Sequence, residues 1–249
     1  MKKNLYNNYD YATFWKGREF EHVADEIAIS RLIAKIPSRK KHIIDVGAGM
    51  GRITPIYQKH WKRCDLVDSS RDQIDVARKN NEISENIEFI CAGADSIPKP
   101  DKLYDAAICI RMFHYIKNPQ KVIREVGRVL APGGYFILEI PNKISAKTRL
   151  KSLFEVKLRK ELKSKNPVSR SFNYKDVTFL NHHPEAIYEI LNKEDFEVLE
   201  ILSASNFRQN IFKKLIPLSI LCFFEKHLQK PFAKLWFGPS IYFLARKNK

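Results

Sequence analysis

Residues 43–52 read IIDVGAGMGR, and the fold turns on how this stretch is read. HIIDV at 42–46 is an apolar run broken only by Asp45, the pattern of a strand buried on both faces. Gly47, Gly49 and Gly51 follow it and lead into a helix expected to run to about residue 60. Without side chains there, backbone amides and the helix N-terminus can approach a nucleotide-like ligand closely. A dinucleotide turn needs a small residue at the sixth position counted from the first glycine, and here that position is Arg52. The dinucleotide pattern therefore fails and GxGxG holds. A tight strand-to-helix turn with no ligand would satisfy the same glycines, so the surroundings must decide.

Outward from the turn, short apolar runs alternate with helical patterns, the signature of a parallel sheet with crossover helices. Residues 17–36 read as an amphipathic helix ending before Pro37. Strands are expected at CDLVD (64–68), NIEFICA (86–92), YDAAICI (104–110), YFILEI (135–140), FEVLEIL (196–202) and SIYFLAR (240–246). Helices are expected from Ser70 to Asn80, from Pro119 to Leu130, and after Pro184. The 249 residues suit one domain with elaborations. Asp68 ends the second strand, 21 residues after Gly47, where a carboxylate can accept hydrogen bonds from both hydroxyls of a ribose. Capping of the next helix, beside Ser69 and Ser70, is a compatible second role.

IIDVGAGMGR, LVDSS, GADSIP, YDAAICIRMFHYI and REVGRVLAPGGYFILE together resemble the class I S-adenosylmethionine-dependent methyltransferases of the broad small-molecule type. The likeness is good over roughly residues 40–142. It implies a Rossmann-like, doubly wound α/β sheet of seven strands in order 3-2-1-4-5-7-6, strand seven antiparallel. It also implies S-adenosylmethionine as cofactor, with Asp45, Gly47, Gly49 and Gly51 bordering its methionine part and Asp68 its ribose. GADSIP departs from the family's Asp-Ala-Glu, so adenine falls to Ala94, and to Asp95 only if that carboxylate turns inward. Arg111 and His114 follow the fourth strand, at the edge where open α/β sheets bind ligands. Arg111 is a candidate cofactor contact. His114 is a candidate general base, set against the alternative that it only lines the pocket. The aromatic segment Tyr6, Tyr9, Tyr11, Phe14 and Trp15 resembles a lid, so residues 1–36 are read as lid and helix.

The formal charge is +16, which points to an anionic partner. Residues 143–175 carry a net +9 and residues 206–249 a net +8, so the rest is close to neutral. The excess falls on two insertions, 143–180 after the fifth strand and 206–238 between the sixth and seventh. Leu150, Leu153, Phe154 and Leu158 share helical spacing in the first, among lysines on all sides. The second mixes Phe, Leu, Ile and Trp with lysines, which suits a cap over a lipophilic acceptor, an interfacial helix on anionic lipid, or a plain buried cap. LIPLSILCFF at 215–224 is about half the roughly 20 residues needed to span a bilayer. Cys64, Cys91, Cys109 and Cys222 lack CxxC spacing, so neither disulfide framework nor metal site is expected. No secretory apolar run follows Lys2 and Lys3, and the expected compartment is the cytoplasm, including its membrane surface. The expected activity is methyl transfer to a small or lipophilic acceptor. RNA or another macromolecule as acceptor, and a cofactor-binding module without transfer, are the alternatives.

Overall fold

The computed structural model describes residues 17–37, 41–80, 86–171 and 178–248. In chain order the elements are α1 (Glu19–Ile33), β1 (His42–Val46), α2 (Thr54–Tyr57), β2 (Arg63–Asp68), α3 (Arg71–Arg78), β3 (Ile87–Cys91), β4 (Tyr104–Cys109), α4 (Pro119–Val129) and β5 (Leu130–Pro141). There follow α5 (Ala146–Ser152), α6 (Val156–Lys163), β6 (Val168–Ser171), β7 (Thr178–Asn181), α7 (Pro184–Lys193), β8 (Phe196–Ala204), α8 (Asn210–Leu215), α9 (Leu218–Ala233) and β9 (Ser240–Lys247). Seven strands form one sheet in the order β3-β2-β1-β4-β5-β9-β8. β9 runs antiparallel to both β5 and β8, while β1 to β5 pair in parallel. With β8 and β9 as the sixth and seventh strands of the sheet, this is the expected topology.

Strand alternation builds a core on each face. Ile44 and Val46 of β1 and Ala107 and Cys109 of β4 pack with Val122 and Val126 of α4 and Ile187 and Leu191 of α7. Ile43, Ala106 and Ile108 face the other way, onto Ala28, Ile29 and Leu32 of α1. The central strands are buried on both faces, which is why HIIDV and YDAAIC read as near-continuous apolar runs.

Local details differ from the sequence pattern or add to it. The helix after the glycines is short: α2 gives way to a 3-10 turn at Gln58–His60. The first insertion forms α5 and α6, broken at 153–155, and of its four residues at helical spacing only Leu158 is buried. A stripe that narrow among lysines has too little apolar area to hold a long helix down. The antiparallel pair β6–β7 was not expected, since PVSRS shows no apolar alternation. The aromatic residues of 6–15 lie outside the described residues.

Candidate active site

The C-terminal ends of β1, β2, β4 and β5 converge on one edge of the sheet. After β1 the chain turns sharply back, the N–H groups of Gly47 and Ala48 both donating to the carbonyl of Val67 at 2.8 and 3.1 Å. Gly47 has φ +78°, and a Cβ there would lie 2.4 Å from Cγ of Met112. The glycine is therefore required twice, by its backbone conformation and by the approach of the segment after β4.

Asp68 is half-buried at the end of β2. Its carboxylate accepts from the N–H of Gly49 at 2.9 Å and of Ser70 at 2.8 Å. Burial raises its pKa, and those backbone donors oppose the rise. Ser70 caps α3 through its hydroxyl, which accepts from the N–H of Gln73 at 3.4 Å. Asp68 thus braces the glycine turn while one side of it faces a slot of about 260 Å³ lined by Gly47, Gly49, Ala94, Met112 and Ile116 among others. Asp45 is buried beneath the same turn, accepting from the Tyr57 hydroxyl at 2.7 Å, and its Oδ1 has no hydrogen-bond partner. Burial pushes its pKa up to about 7.

Arg111 follows β4 in the left-handed region, φ +58°. Its N–H donates to Glu139 Oε2 at 3.0 Å, and its guanidinium reaches Asp25, Ser240 and Ser205. Asp25, fully buried on α1, also accepts from Arg52 at 2.9 Å and from the Tyr242 hydroxyl at 2.6 Å. Arg111 is thus the hub of an ionic cluster that fixes the loop after β4. Its side chain lines both the slot and a second cavity of about 920 Å³, and Tyr115 does the same.

The larger cavity is roofed by the insertions: Leu150 of α5, Phe179 of β7, and Ile211 and Phe212 of α8 line it, with Phe237. Its volume lies in the range of small-molecule sites. His114 is in its wall, its ring 4.8 Å from that of Phe179 and 3.9 Å from that of Tyr115. Burial, then the charges of Arg111 and His182, push its pKa down to about 3. The imidazole is therefore neutral, and its protonated form is disfavoured.

The structure thus brings Gly47, Gly49, Asp68, Ala94 and Arg111 to one slot, with Asp45 beneath it and His114 across the neighbouring cavity. Gly51 belongs to the turn, its N–H bonded to the carbonyl of Ala48 at 3.0 Å. Asp95 stands apart: its carboxylate pairs with Lys121 at 2.8 Å, is not in the slot wall, and has its pKa lowered mainly by that lysine. Asp25 and Glu139 were not singled out from the sequence. The signal available was an acid inside an apolar pattern, in EFEHVADEIAI and in YFILEI.

The features define an open α/β protein with a nucleotide-type slot at the carboxyl edge of its sheet. Residues 44–138 match the family described as "Methyltransferase domain", and this part of the chain is similar to class I S-adenosylmethionine-dependent methyltransferase domains. A ubiquinone biosynthesis O-methyltransferase of Coxiella burnetii is 26% identical over 123 residues, 49% of this chain and 53% of that one. The Bacillus subtilis methyltransferase YcgJ is 31% identical over 110 residues, covering 43% and 44% of the two chains. The chain spans about half the length of these relatives. Among solved structures, an S-adenosylmethionine-dependent methyltransferase from Mesorhizobium loti superposes with a TM-score of 0.60 at 16% identity, covering 89% of this chain and 98% of that one. The [4+2]-cyclase SpnF superposes with a TM-score of 0.58 at 19% identity, covering 89% and 81%. Likeness at that level is likeness of fold.

The site suits S-adenosylmethionine, the cofactor of this domain. A glycine cradle that side chains would fill, a carboxylate at the end of β2 and an orphan buried carboxylate oxygen at Asp45 supply the close approach and the acceptors that a nucleoside and an ammonium group require.

Proposed function

We propose that the chain transfers the methyl group of S-adenosylmethionine to a small, lipophilic acceptor, working against an anionic membrane surface. One observation carries the reading: the slot and the larger cavity share Arg111 and Tyr115 in their walls, so a ligand in one faces a ligand in the other. The cofactor supplies an electrophilic methyl group on a sulfonium. Asp68 would hold the ribose and Ala94 would border the adenine, with Asp45 beneath the glycine turn on the side of the methionine portion. Arg111, held by Asp25 and Glu139, keeps the loop between the two ligands in place. His114 stays neutral and shapes the acceptor wall, so alignment and exclusion of water supply the rate rather than proton removal by the imidazole. Relatives named for ubiquinone biosynthesis and a sterol 4-C-methyltransferase of Caenorhabditis elegans, 27% identical over 120 residues, support a lipophilic acceptor.

The membrane part rests on exposure. Phe154 is 84%, Leu215 75% and Phe223 59% exposed, and most of the exposed large apolar side chains belong to the two insertions. Leu150 and Ile211, each 62% exposed, also line the larger cavity, so its mouth opens on this apolar face. Lysines of the same insertions attract anionic headgroups. Among the described residues no helix is long and apolar enough to cross a membrane.

The test is transfer of labelled methyl from S-adenosylmethionine into cell extracts separated into lipid, RNA and water-soluble fractions. Label in the lipid fraction is expected. Label in RNA would establish a macromolecular acceptor instead, and calorimetric binding of S-adenosylhomocysteine with no label anywhere would leave a binding module without transfer.

A further inference from the structure

We infer that Arg208 binds an acidic group, carboxylate or phosphate, carried by the acceptor. This rests on the larger cavity being the acceptor site. A third cavity, of about 620 Å³, adjoins it, and the two share Arg18, Glu21, Lys147, Arg208, Gln209 and Ile211 in their walls. Arg208 therefore stands at the junction of two chambers, one largely apolar and one ringed by charge.

The other cations there are engaged. Arg111 is held by Asp25, Lys147 donates to Gln209 at 2.8 Å, Lys213 pairs with Glu21 at 3.3 Å, and Lys151 pairs with Glu155 at 3.1 Å. Among the described residues, the Arg208 guanidinium has no hydrogen-bond or ion-pair partner, although its backbone is fixed by a 3.3 Å bond from its N–H to Ser205. The neighbouring Asn206 is buried and clamped on both sides of its peptide and amide by Glu225, so the guanidinium projects from a rigid base. Partial desolvation at the cavity wall and the charges of Arg111 and Arg18 push its pKa down to about 10. It remains charged at neutral pH in a field that an anion would relieve.

A guanidinium without a hydrogen-bond partner, in the wall shared by an apolar chamber and a charged one, selects a ligand with two parts. The planar fork accepts a carboxylate or phosphate through paired hydrogen bonds. Phe179, Phe212 and Phe237 take the apolar remainder. The chemistry recognised is that of an anionic amphiphile.

The test titrates the full chain, saturated with S-adenosylhomocysteine, with octanoate, octyl phosphate and 1-octanol by calorimetry. At least one of the anions should bind tenfold or more tighter than 1-octanol. Arg208→Gln should remove that advantage while leaving 1-octanol and S-adenosylhomocysteine affinity unchanged, and Arg208→Lys should restore part of it. Equal binding of the anions and 1-octanol, or anion binding that survives Arg208→Gln, overturns the inference. Loss of S-adenosylhomocysteine affinity in Arg208→Gln also overturns it, by assigning the arginine to the cofactor. Failure of the unaltered chain to bind S-adenosylhomocysteine would instead strike at the methyltransferase reading.

Discussion

Asp25 of α1 grips Arg111, 86 residues further on, through both carboxylate oxygens: Oδ1 meets Nη2 at 2.7 Å and Oδ2 meets Nε at 3.2 Å. The contact ties the helix before the sheet to the loop between the two ligand cavities. Although burial opposes ionisation, Arg111 and Arg52 hold the Asp25 carboxyl below its usual range. Its contribution is therefore complete above the ordinary carboxyl range and is lost as pH falls through the depressed folded value. Asp25→Ala takes away the buried carboxylate that pairs with both Arg111 and Arg52, and removal of one partner from a buried pair costs about 3–5 kcal/mol. Chemical denaturation at pH 7 should show a loss of that size, and one that narrows below about pH 4. A loss under about 1 kcal/mol would mean the cluster is not buried as described.

Gly47 tests the cradle. Gly47→Ala places a methyl against Met112 and forces an L-residue to φ +78°, so cofactor binding should fall at least tenfold in calorimetry with S-adenosylhomocysteine. Pairing it with Met112→Gly removes the collision, which involves both Cβ and Cγ of Met112, and leaves the backbone strain. The double variant should therefore recover part of the affinity, and full recovery would show that the backbone conformation carries no cost.

Asp45 makes the protein pH-sensitive. With its carboxyl raised to about 7, the folded chain holds a proton that the unfolded chain has released. Stability from this group is complete below the ordinary carboxyl range near pH 4 and is lost as pH rises through about 7. Melting temperature without ligand should decline from pH 5 to pH 8, and the decline should shrink in Asp45→Asn. S-adenosylhomocysteine should bind more tightly as Asp45 ionises in the unaltered chain, with a flatter profile in Asp45→Asn. Identical profiles for the two proteins would remove Asp45 from the binding site.

These sites differ in how openly the sequence shows them. The glycine turn, Asp68 and Ser70 are legible because each depends on neighbours within a few residues or on a fixed distance along a βαβ unit. The strand order follows from the same alternation. The Asp25, Arg111, Glu139 and Tyr242 cluster draws on α1, the loop after β4, β5 and β9, so no local spacing encodes it. Asp95 shows the converse: GADSIP leaves open which way its carboxylate turns, and that is set by Lys121 of α4, 26 residues on, which pairs with it at 2.8 Å. Which apolar residues of an insertion face water was likewise unreadable, because Leu150, Leu153 and Phe154 share a spacing that normally signals burial.

His114 should prove dispensable as a base. Its imidazole, held down to about 3, does not titrate between pH 5 and 9, so the rate of methyl transfer should show no inflection from it there. His114→Ala opens the wall against Phe179 and Tyr115 and should raise the acceptor KM several-fold, with turnover changed by less than about threefold. Turnover slowed by about a hundredfold or more, the scale of lost general-base catalysis, would put His114 in the chemistry.

The membrane face offers the last test. Phe154, Leu215 and Phe223 are exposed among lysines, so insertion at an interface should combine apolar burial with headgroup attraction. Binding to vesicles with a third phosphatidylglycerol should exceed binding to pure phosphatidylcholine at least tenfold, and should weaken as salt rises. Phe154→Asp with Leu215→Asp should abolish most of it without altering S-adenosylhomocysteine affinity, because neither side chain lines the cofactor slot. Each buried side chain of this size is worth about 1.5–3 kcal/mol if fully removed from water, so the pair should cost tenfold or more in vesicle affinity. Equal sedimentation with both vesicle types would strip the surface of a lipid role and leave the two apolar helices as a cap over the acceptor alone.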